Sequence, residues 1–357
     1  MASGSGSVSM SDPKVSVLMS VCNGERYLRE AIESILNQTF QDFECIIIDD
    51  GSADSTNEII RTYSDPRIRL VENQKNMGLT KSLNRGIDLC KGEYISRMDG
   101  DDISLPLRLE KQVDFMKKHH QTGVVGTRAS EIDHEGKITI RKTAHNTYDR
   151  EMKVQLMFGT CFLHPSVMIR KKILRETGLS YDKSFSTSQD YFLWWQLSLL
   201  TKFANLPECL LHYRKHSSRL SNHSSTDQTL NASRVRRLVV ETLLSRDLTD
   251  KEFVFHDMLM TKPHCRSINE LEVASDWFIY LVNKNEQNEV FDNIRFRRAI
   301  GTTWLSLCQN STQLGYELLR KYSKSVLSTY SRLSLDKYLK LLSKTMLKYD
   351  PRQFQSD

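Results

Sequence analysis

The sequence contains no uninterrupted apolar run of about 18 residues, so it predicts no transmembrane helix. Its seven cysteines are scattered without a C-x-x-C pair, which favours reduced thiols in a cytoplasmic protein over a disulfide framework. The chain also lacks a large excess of charge of either sign. Its net charge is only +6, so charge alone does not indicate nucleic-acid binding. What remains is an ordinary globular composition over 357 residues, 39% hydrophobic and 26% charged, enough for a large domain and a smaller one.

The two ends of the chain differ from its centre. Residues 1–13 begin with Met-Ala-Ser-Gly-Ser-Gly-Ser and lack the apolar stretch of a signal peptide, so we expect an unfolded leader there and a first domain over 14–225. From residue 226 onward glycine is rare and apolar residues recur at helical spacing, which predicts a helical region over 226–357. Its basic last segment, 314–349, is typical of a solvated face, but peripheral binding to an anionic membrane and contact with a second copy of the chain both stay open.

The first third of the chain alternates strand and helix patterns. Short apolar strand patterns occupy 15–21, 44–49, 68–71 and 93–98. Each strand pattern is followed by a segment whose apolar residues recur at helical spacing, over 25–37, 52–63, 79–90 and 105–119. Ser52 is predicted as the N-cap of the second helix. This order predicts an open α/β sheet with right-handed crossovers.

Polar clusters stand where three of these strands end. They are Cys22-Asn23-Gly24-Glu25, Asp49-Asp50-Gly51-Ser52 and Asp99-Gly100-Asp101-Asp102. We expect them at one edge of the sheet, because ligands of open α/β sheets bind beyond the carboxyl ends of the strands. The third cluster holds three carboxylates within four residues, which repel one another unless a cation is present. Mg²⁺ and Mn²⁺ bind such oxygens together with substrate phosphates, whereas a lone D-x-D is more often a solvated turn.

Other candidate residues allow two interpretations each. A carboxylate of the pair Asp49 and Asp50 either binds a base or ribose or caps the next helix. Asp190 is either a general base or the N-cap of a helix over 191–200. His216, with Arg214 beside it, either faces a diphosphate and a metal or is structural. His164 either lines an acceptor pocket or belongs to a turn.

Six segments between residues 14 and 222 resemble a known family in order and spacing. They are VSVLMSVCNGERYLREAIESILNQTFQDFECIIIDDGSADST, NMGLTKSLNRGI, GEYISRMDGDDISLPLRLEKQ, HPSVMIRK, SQDYFLWWQL and LLHYRKHSSRLS. Together they resemble family 2 glycosyltransferases of the GT-A fold, in particular bacterial enzymes that extend lipopolysaccharide or capsule glycans by β-1,3 transfer. The resemblance implies a Rossmann-like α/β domain that binds a nucleotide sugar, followed by a C-terminal α-helical extension.

The resemblance also implies a reaction and its residues. It implies inverting transfer of GlcNAc, Gal, GalNAc or Glc from a UDP-sugar to a hydroxyl of a glycan or glycolipid acceptor in surface polysaccharide synthesis. Asp190 corresponds to the catalytic base, and the Mn²⁺ or Mg²⁺ site corresponds to Asp101 with Asp99 and His216. The nucleotide pocket corresponds to Ser20, Asn23, Glu25, Asp50, Lys81 and Asp99. His164 and Arg214 fall near the acceptor or the diphosphate, and the implied location is the cytoplasm or the inner face of the cytoplasmic membrane.

Two residues depart from the family pattern. Cys22 replaces a Tyr that would stack on the base, and Gln189 replaces the Glu that usually precedes the catalytic Asp. One negative neighbour fewer favours ionisation of Asp190 and makes it a slightly weaker base. A non-catalytic nucleotide- or glycan-binding module therefore stays open as an alternative. A sugar-nucleotide pyrophosphorylase is disfavoured, because the loop after the first strand has a single glycine, Gly24, where a glycine-rich phosphate loop is needed.

Overall fold

A computed structural model describes residues 12–143, 146–216, 225–331 and 335–346, so most of the expected leader lies outside the described residues. Two compact units are present, one formed by 12–149 and 160–231 and the other by 150–159 and 232–346. The sequence pattern did not separate 150–159 from its neighbours.

The first unit is built on one mixed β-sheet. Its strands are β1 (Val15–Val21), β2 (Phe43–Asp49), β3 (Ile68–Glu72), β4 (Tyr94–Asp99), β5 (Ile103–Ser104), β6 (Thr122–Ile132), β7 (Ile138–Ile140), β8 (Met168–Arg170) and β9 (Lys202–Arg214). The order across the sheet is β3-β2-β1-β4-β8-β6-β9-β5, with β7 paired to β6. Strands β3, β2, β1 and β4 are mutually parallel, as the alternating pattern predicted, and β8 runs antiparallel to both β4 and β6.

Helices follow the strands in the first part of this unit. They are α1 (Leu28–Leu36), α2 (Thr56–Arg61), α3 (Leu79–Leu89), α4 (Arg108–Lys118), α6 (Lys171–Thr177) and α7 (Gln189–Ser198), with α5 (Asp149–Gln155) at the boundary of the two units. The prediction that Ser52 caps α2 is wrong. Its hydroxyl donates to Asp49 Oδ1 at 2.5 Å, and α2 begins only at Thr56.

The core explains the apolar sequences of β1 and β2. Val17, Leu18 and Met19 of β1 and Ile46 and Ile47 of β2 are all 1% exposed or less. Both faces of these strands are therefore covered, as parallel strands require. Each burial of a side chain of this size stabilises the fold by roughly 1.5–3 kcal/mol, so the carboxyl ends of the strands stand on a rigid support.

The second unit is helical, which confirms the predicted C-terminal helical region. Its helices are α8 (Ser225–Leu244), α9 (Asp250–Thr261), α10 (Ile268–Asn288), α11 (Asn293–Asn310), α12 (Tyr316–Lys324), α13 (Val326–Tyr330) and α14 (Leu335–Met346). Thr249 and Glu252 form a capping box at the start of α9, which satisfies two of its unpaired N–H groups. Phe278, Phe296 and Trp304 are buried in this unit. Among the described helices, none has the length and apolarity needed to cross a bilayer.

Gly51, at the turn after β2, is a position where the backbone leaves no room for a side chain. Its φ is +71°, and an added Cβ would lie 2.6 Å from the backbone nitrogen of Asn76. We expect Gly51→Ala to lower the free energy of unfolding by about 2–5 kcal/mol, since a left-handed residue costs about 1–2 kcal/mol and a backbone clash adds about 1–3. Urea unfolding measures the loss.

Gly178→Ala is the matched control for this prediction. Gly178 lies in the same unit with φ +70°, but nothing lies within 4 Å of its added Cβ, so only the conformational cost of about 1–2 kcal/mol applies. Equal losses in the two variants would contradict a close backbone approach at Gly51.

Candidate active site

The polar clusters predicted from the sequence meet at one edge of the sheet. Ser20 of β1 pairs with Asp99 of β4 on one side and with Ile48 of β2 on the other. Val21 pairs with Asp49, so β1, β2 and β4 end at the same level. The three loops that follow these strands therefore share one rim, which is where ligands bind in open α/β sheets.

The loops after β1 and β2 are joined by hydrogen bonds. The backbone N–H of Asn23 donates to Ser52 Oγ at 2.9 Å, and Asn23 Oδ1 accepts from the N–H of Ala53 at 2.8 Å. Glu25 Oε2 accepts from the N–H of Ser55 at 3.1 Å. Asn23 itself has φ +54°, a conformation that Asn tolerates better than most residues. Asn23 and Glu25 thus hold the two loops in a fixed frame, while both residues remain exposed at the rim.

Asp50 is buried and positions a third loop. Its Oδ1 accepts from Asn73 Nδ2 at 2.7 Å and from the N–H of Met77 at 2.8 Å, and its Oδ2 accepts from the N–H of Gly78 at 2.9 Å. This loop leads into α3, whose first turn carries the exposed Lys81. The carboxylate of Asp50 is therefore largely occupied inside the protein, and its expected contact with the nucleotide stays a prediction.

The acidic residues after β4 form a compact group. Asp99, Asp101 and Asp102 each offer a carboxylate oxygen, and these three oxygens lie within 4.8 Å of one another. Asp102 is fully buried and its Oδ1 accepts from the N–H of Arg214 at 2.9 Å. A donor set made only of carboxylate oxygens is the kind that Mg²⁺ and Mn²⁺ prefer. The residues therefore fit a hard divalent cation.

The end of β9 holds this acidic group in place. Arg214 is buried, and its Nε donates to the carbonyl oxygen of Asp101 at 2.9 Å. Its guanidinium also forms an ion pair with Glu30 and lies 4.6 Å from the ring centroid of Tyr27. His216 Nε2 lies 2.9 Å from Asp101 Oδ2. Arg214 thus positions the acidic loop, and His216 contacts the carboxylate that is expected to bind metal. The rest of the last motif, 217–221, lies outside the described residues.

Asp190 lies inside the first turn of α7. The alternative that it is the N-cap is wrong, because the helix begins at Gln189 and Ser188 occupies the N-cap position. Burial raises the pKa of Asp190, and a backbone hydrogen bond with Tyr191 and the positive charge of Arg97 act in the opposite direction. A partly buried carboxylate with a raised pKa is the environment of a general base.

His164 lies in a short 3₁₀ turn and contacts a tyrosine outside that turn. Its Nε2 lies 2.7 Å from the hydroxyl oxygen of Tyr181, and its ring lies edge-on to Trp194 with centroids 6.0 Å apart. Burial, followed by the charge of Arg97, lowers the pKa of His164 well below its ordinary value, so the ring is neutral at pH 7. His164 lies in a turn, as one of its two interpretations predicted, and its role at the acceptor stays a prediction.

Sequence reasoning missed Arg97 and Tyr181. Arg97 lies in β4 and forms an ion pair with Asp99, while its charge acts on Asp190, His164 and Tyr181. The available signal was an arginine inside an otherwise apolar strand pattern, because such a residue is rarely buried without a functional or structural partner. Arg97 therefore contacts the acidic group after β4 directly, and its positive charge acts to lower the pKa of Asp190.

Comparison with known proteins gives the same family as the sequence motifs. The profile of "Glycosyl transferase family 2" matches residues 16–178. The chain is 34% identical over 235 residues to an uncharacterized glycosyltransferase of Haemophilus influenzae, covering 63% of this chain and 72% of that protein. It is 38% identical over 214 residues to the O-antigen biosynthesis glycosyltransferase WbnJ of Escherichia coli, covering 57% of this chain and 80% of that protein.

The structure is also similar to a solved protein over nearly its whole length. Staphylococcus aureus TarS 1–349 in complex with UDP-GlcNAc has a TM-score of 0.56 at 18% identity, covering 96% of this chain and 92% of that one. This likeness confirms the predicted fold class, a GT-A type α/β domain with a C-terminal helical region. The relatives, the profile and the motifs agree, and the chain belongs to glycosyltransferase family 2.

Proposed function

We propose that this enzyme transfers a sugar from a UDP-sugar to a hydroxyl group of a glycan acceptor, with inversion at the anomeric carbon and with a bound Mn²⁺ or Mg²⁺. The observation that carries the proposal is the acidic group of Asp99, Asp101 and Asp102 at the sheet edge. The partly buried Asp190, whose pKa is raised by burial, supplies the expected base. The UDP-GlcNAc complex of the TarS neighbour and the O-antigen role in the name of WbnJ support the choice of donor and of pathway class.

Donor binding uses the rim made by the loops after β1, β2 and β4. Ser20 is near the end of β1, and Asn23 and Glu25 lie on the loop that follows it. Lys81 offers a positive charge at the beginning of α3. Asp99, Asp101 and His216 would hold the cation, and His216 Nε2 lies 2.9 Å from Asp101 Oδ2. When bound, the cation neutralises the negative charge that develops on the departing diphosphate.

Asp190 performs the proton transfer. Its carboxylate accepts the proton of the acceptor hydroxyl while that oxygen attacks the anomeric carbon, and the bond from this carbon to the diphosphate oxygen breaks. Attack opposite the leaving group inverts the configuration. Because burial raises the pKa of Asp190, its carboxylate is a stronger base than that of a solvated Asp. Gln189 adds no second negative charge beside it.

The acceptor belongs to surface polysaccharide or lipopolysaccharide in this proposal. The basic segment over 314–349 supports a peripheral contact with anionic lipid at the inner face of the cytoplasmic membrane, where such acceptors are anchored. A contact between two copies of the chain through the helical unit stays a second role for the same region.

A donor screen tests the proposed function. UDP-GlcNAc, UDP-Gal, UDP-GalNAc and UDP-Glc are each incubated with the enzyme, Mn²⁺ and a mixture of glycan acceptors, and the release of UDP is measured. We expect one donor to give acceptor-dependent release that EDTA abolishes. Tight binding of a UDP-sugar without any release would support the non-catalytic module instead, and release unaffected by EDTA would remove the cation from the proposal.

A further inference from the structure

The guanidinium of Arg97 carries hydrogen-bond donors that the protein does not use. The Arg97 side chain is 4% exposed and its Nη2 pairs with Asp99. Among the described residues, neither its Nε nor its Nη1 has a hydrogen-bond partner. A buried donor without an acceptor costs about 1–3 kcal/mol, and more when the donor is charged. Such a cost persists in a stable fold when the group serves a ligand.

The surroundings of Arg97 are those of the candidate active site. Arg97 and Asp99 are two residues apart in β4, so their side chains share one face of the sheet. The backbone N–H of Arg97 donates to the carbonyl oxygen of Val167 at 2.9 Å, directly after the 3₁₀ turn that begins at His164. The ring of His164 lies 6.0 Å from that of Trp194, which stands about one turn after Asp190 in α7. His164 and Tyr181 already bond to each other at 2.7 Å. Arg97 therefore pairs with Asp99, the residue expected to face the nucleotide and metal, and lies beside the turn that contacts α7, the helix of the expected base Asp190.

The proposed reaction decides what occupies that position. In a UDP-sugar the sugar ring connects the diphosphate to the anomeric carbon, and this carbon must lie near the base. The ring therefore lies between Asp99 and Asp190, next to the arginine that pairs with Asp99. Hydroxyl and amide carbonyl oxygens on a sugar are hydrogen-bond acceptors that suit the fixed donor fork of an arginine.

We propose that the free Nε–H and Nη1–H groups of Arg97 bind an oxygen substituent of the donor sugar ring, which makes Arg97 a residue that determines donor specificity. This inference rests on the proposed function. It differs from a contact with the diphosphate, because it predicts an effect on the sugar part of the ligand alone.

Calorimetric titration of UDP and of the active UDP-sugar into Arg97→Lys tests the proposal. Lysine keeps a positive charge beside Asp99 but lacks the planar guanidinium with its fixed N–H donors. We expect affinity for the UDP-sugar to fall about 10- to 100-fold, as for a lost hydrogen bond to a charged group, while affinity for UDP changes less than about twofold. The matched control is Arg69→Lys on the exposed part of β3, which should change neither affinity.

The other outcomes overturn the inference. An equal loss of affinity for UDP and for the UDP-sugar would assign Arg97 to the diphosphate. No loss of affinity for either ligand would show that the N–H groups of Arg97 do not contact the sugar. A wild-type enzyme that binds neither UDP nor any UDP-sugar would contradict the proposed function itself, which is a separate result.

Donor analogues provide a second test that does not depend on the folding of a variant. Derivatives of the active donor lacking one hydroxyl, or the N-acetyl group, are titrated into the wild-type enzyme. We expect one analogue to bind the wild type about 10-fold or more weakly than the full donor does. The Arg97→Lys variant should bind that analogue and the full donor with similar affinity, because the effects of removing two groups that contact each other do not add. Equal binding of every analogue to the wild type would overturn the proposal.

Discussion

Replacing Asp190 by Asn is expected to reduce turnover by about 10²- to 10⁴-fold while UDP binding stays within about twofold of the wild type. The amide is close in shape to the carboxylate but cannot accept the acceptor proton at neutral pH. Asp190 lies in the first turn of α7, outside the loops expected to frame the uridine and the metal, so we expect UDP, which lacks the sugar, to bind without its charge. Release of UDP measures turnover, and calorimetric titration measures binding.

Asp88→Asn is the matched control for this variant. Asp88 is exposed on α3 of the same unit, so its substitution should leave both turnover and UDP affinity unchanged. Near-normal turnover in Asp190→Asn would show that another group removes the proton. A parallel loss of UDP affinity would show that Asp190 serves donor binding instead.

The pH dependence gives an independent test of the same residue. The base must be ionised, and burial raises the pKa of Asp190 above the ordinary value of an aspartate. Activity is therefore expected to be present above this raised pKa and to fall as the pH decreases through it. A profile of kcat/KM against pH should place the acid limb above the range of a solvated Asp. An acid limb below that range would contradict a buried base.

Replacing Asp101 by Ala is expected to remove the effect of Mn²⁺ on UDP binding. Loss of a residue that only orients a ligand typically costs about 10- to 100-fold in metal affinity, so loss of a direct ligand should cost at least as much. Carboxylate oxygens of Asp101 and of two further aspartates lie within 4.8 Å of one another, and His216, another expected ligand, contacts Asp101. UDP titrations with and without Mn²⁺ should differ strongly for the wild type and little for the variant.

The control for Asp101→Ala is Asp114→Ala, an exposed position on α4 that should preserve the response to Mn²⁺. Circular dichroism of both variants checks the fold, because Asp101 also belongs to the loop that Arg214 holds. A variant that folds normally and still binds UDP more tightly with Mn²⁺ would contradict the metal assignment.

The part of the fold that could be predicted from the sequence is the part with local signals. Strand β1 was predicted with its observed bounds, because its residues are apolar and covered on both faces. The parallel orientation of β1, β2, β3 and β4 followed from the alternation of strands and helices, whereas their order across the sheet was not predicted. The polar clusters after β1, β2 and β4 could therefore be placed at one edge of the sheet from the order of the strands alone.

The remaining features depend on contacts between residues far apart in sequence. Strand β9 contains Pro207 and Glu208 and shifts register against β6, so its 13 residues give no regular pattern. The bonds from Asp50 to the loop at Met77 and Gly78 bridge separations of 27 and 28 residues. Arg97 gave only the signal of a charge in an apolar strand. Its ion pair with Asp99, and its two nitrogens that are unpaired among the described residues, depend on how its buried side chain packs.

The decisive measurement for the proposed cation and donor site is a crystal structure of the enzyme soaked with UDP and Mn²⁺, with anomalous diffraction recorded for manganese. We expect an anomalous peak within coordination distance of Asp101, and density for UDP over the loops that contain Asn23 and Glu25. A manganese peak away from Asp99, Asp101 and Asp102, or UDP bound elsewhere on the molecule, would contradict the proposed site.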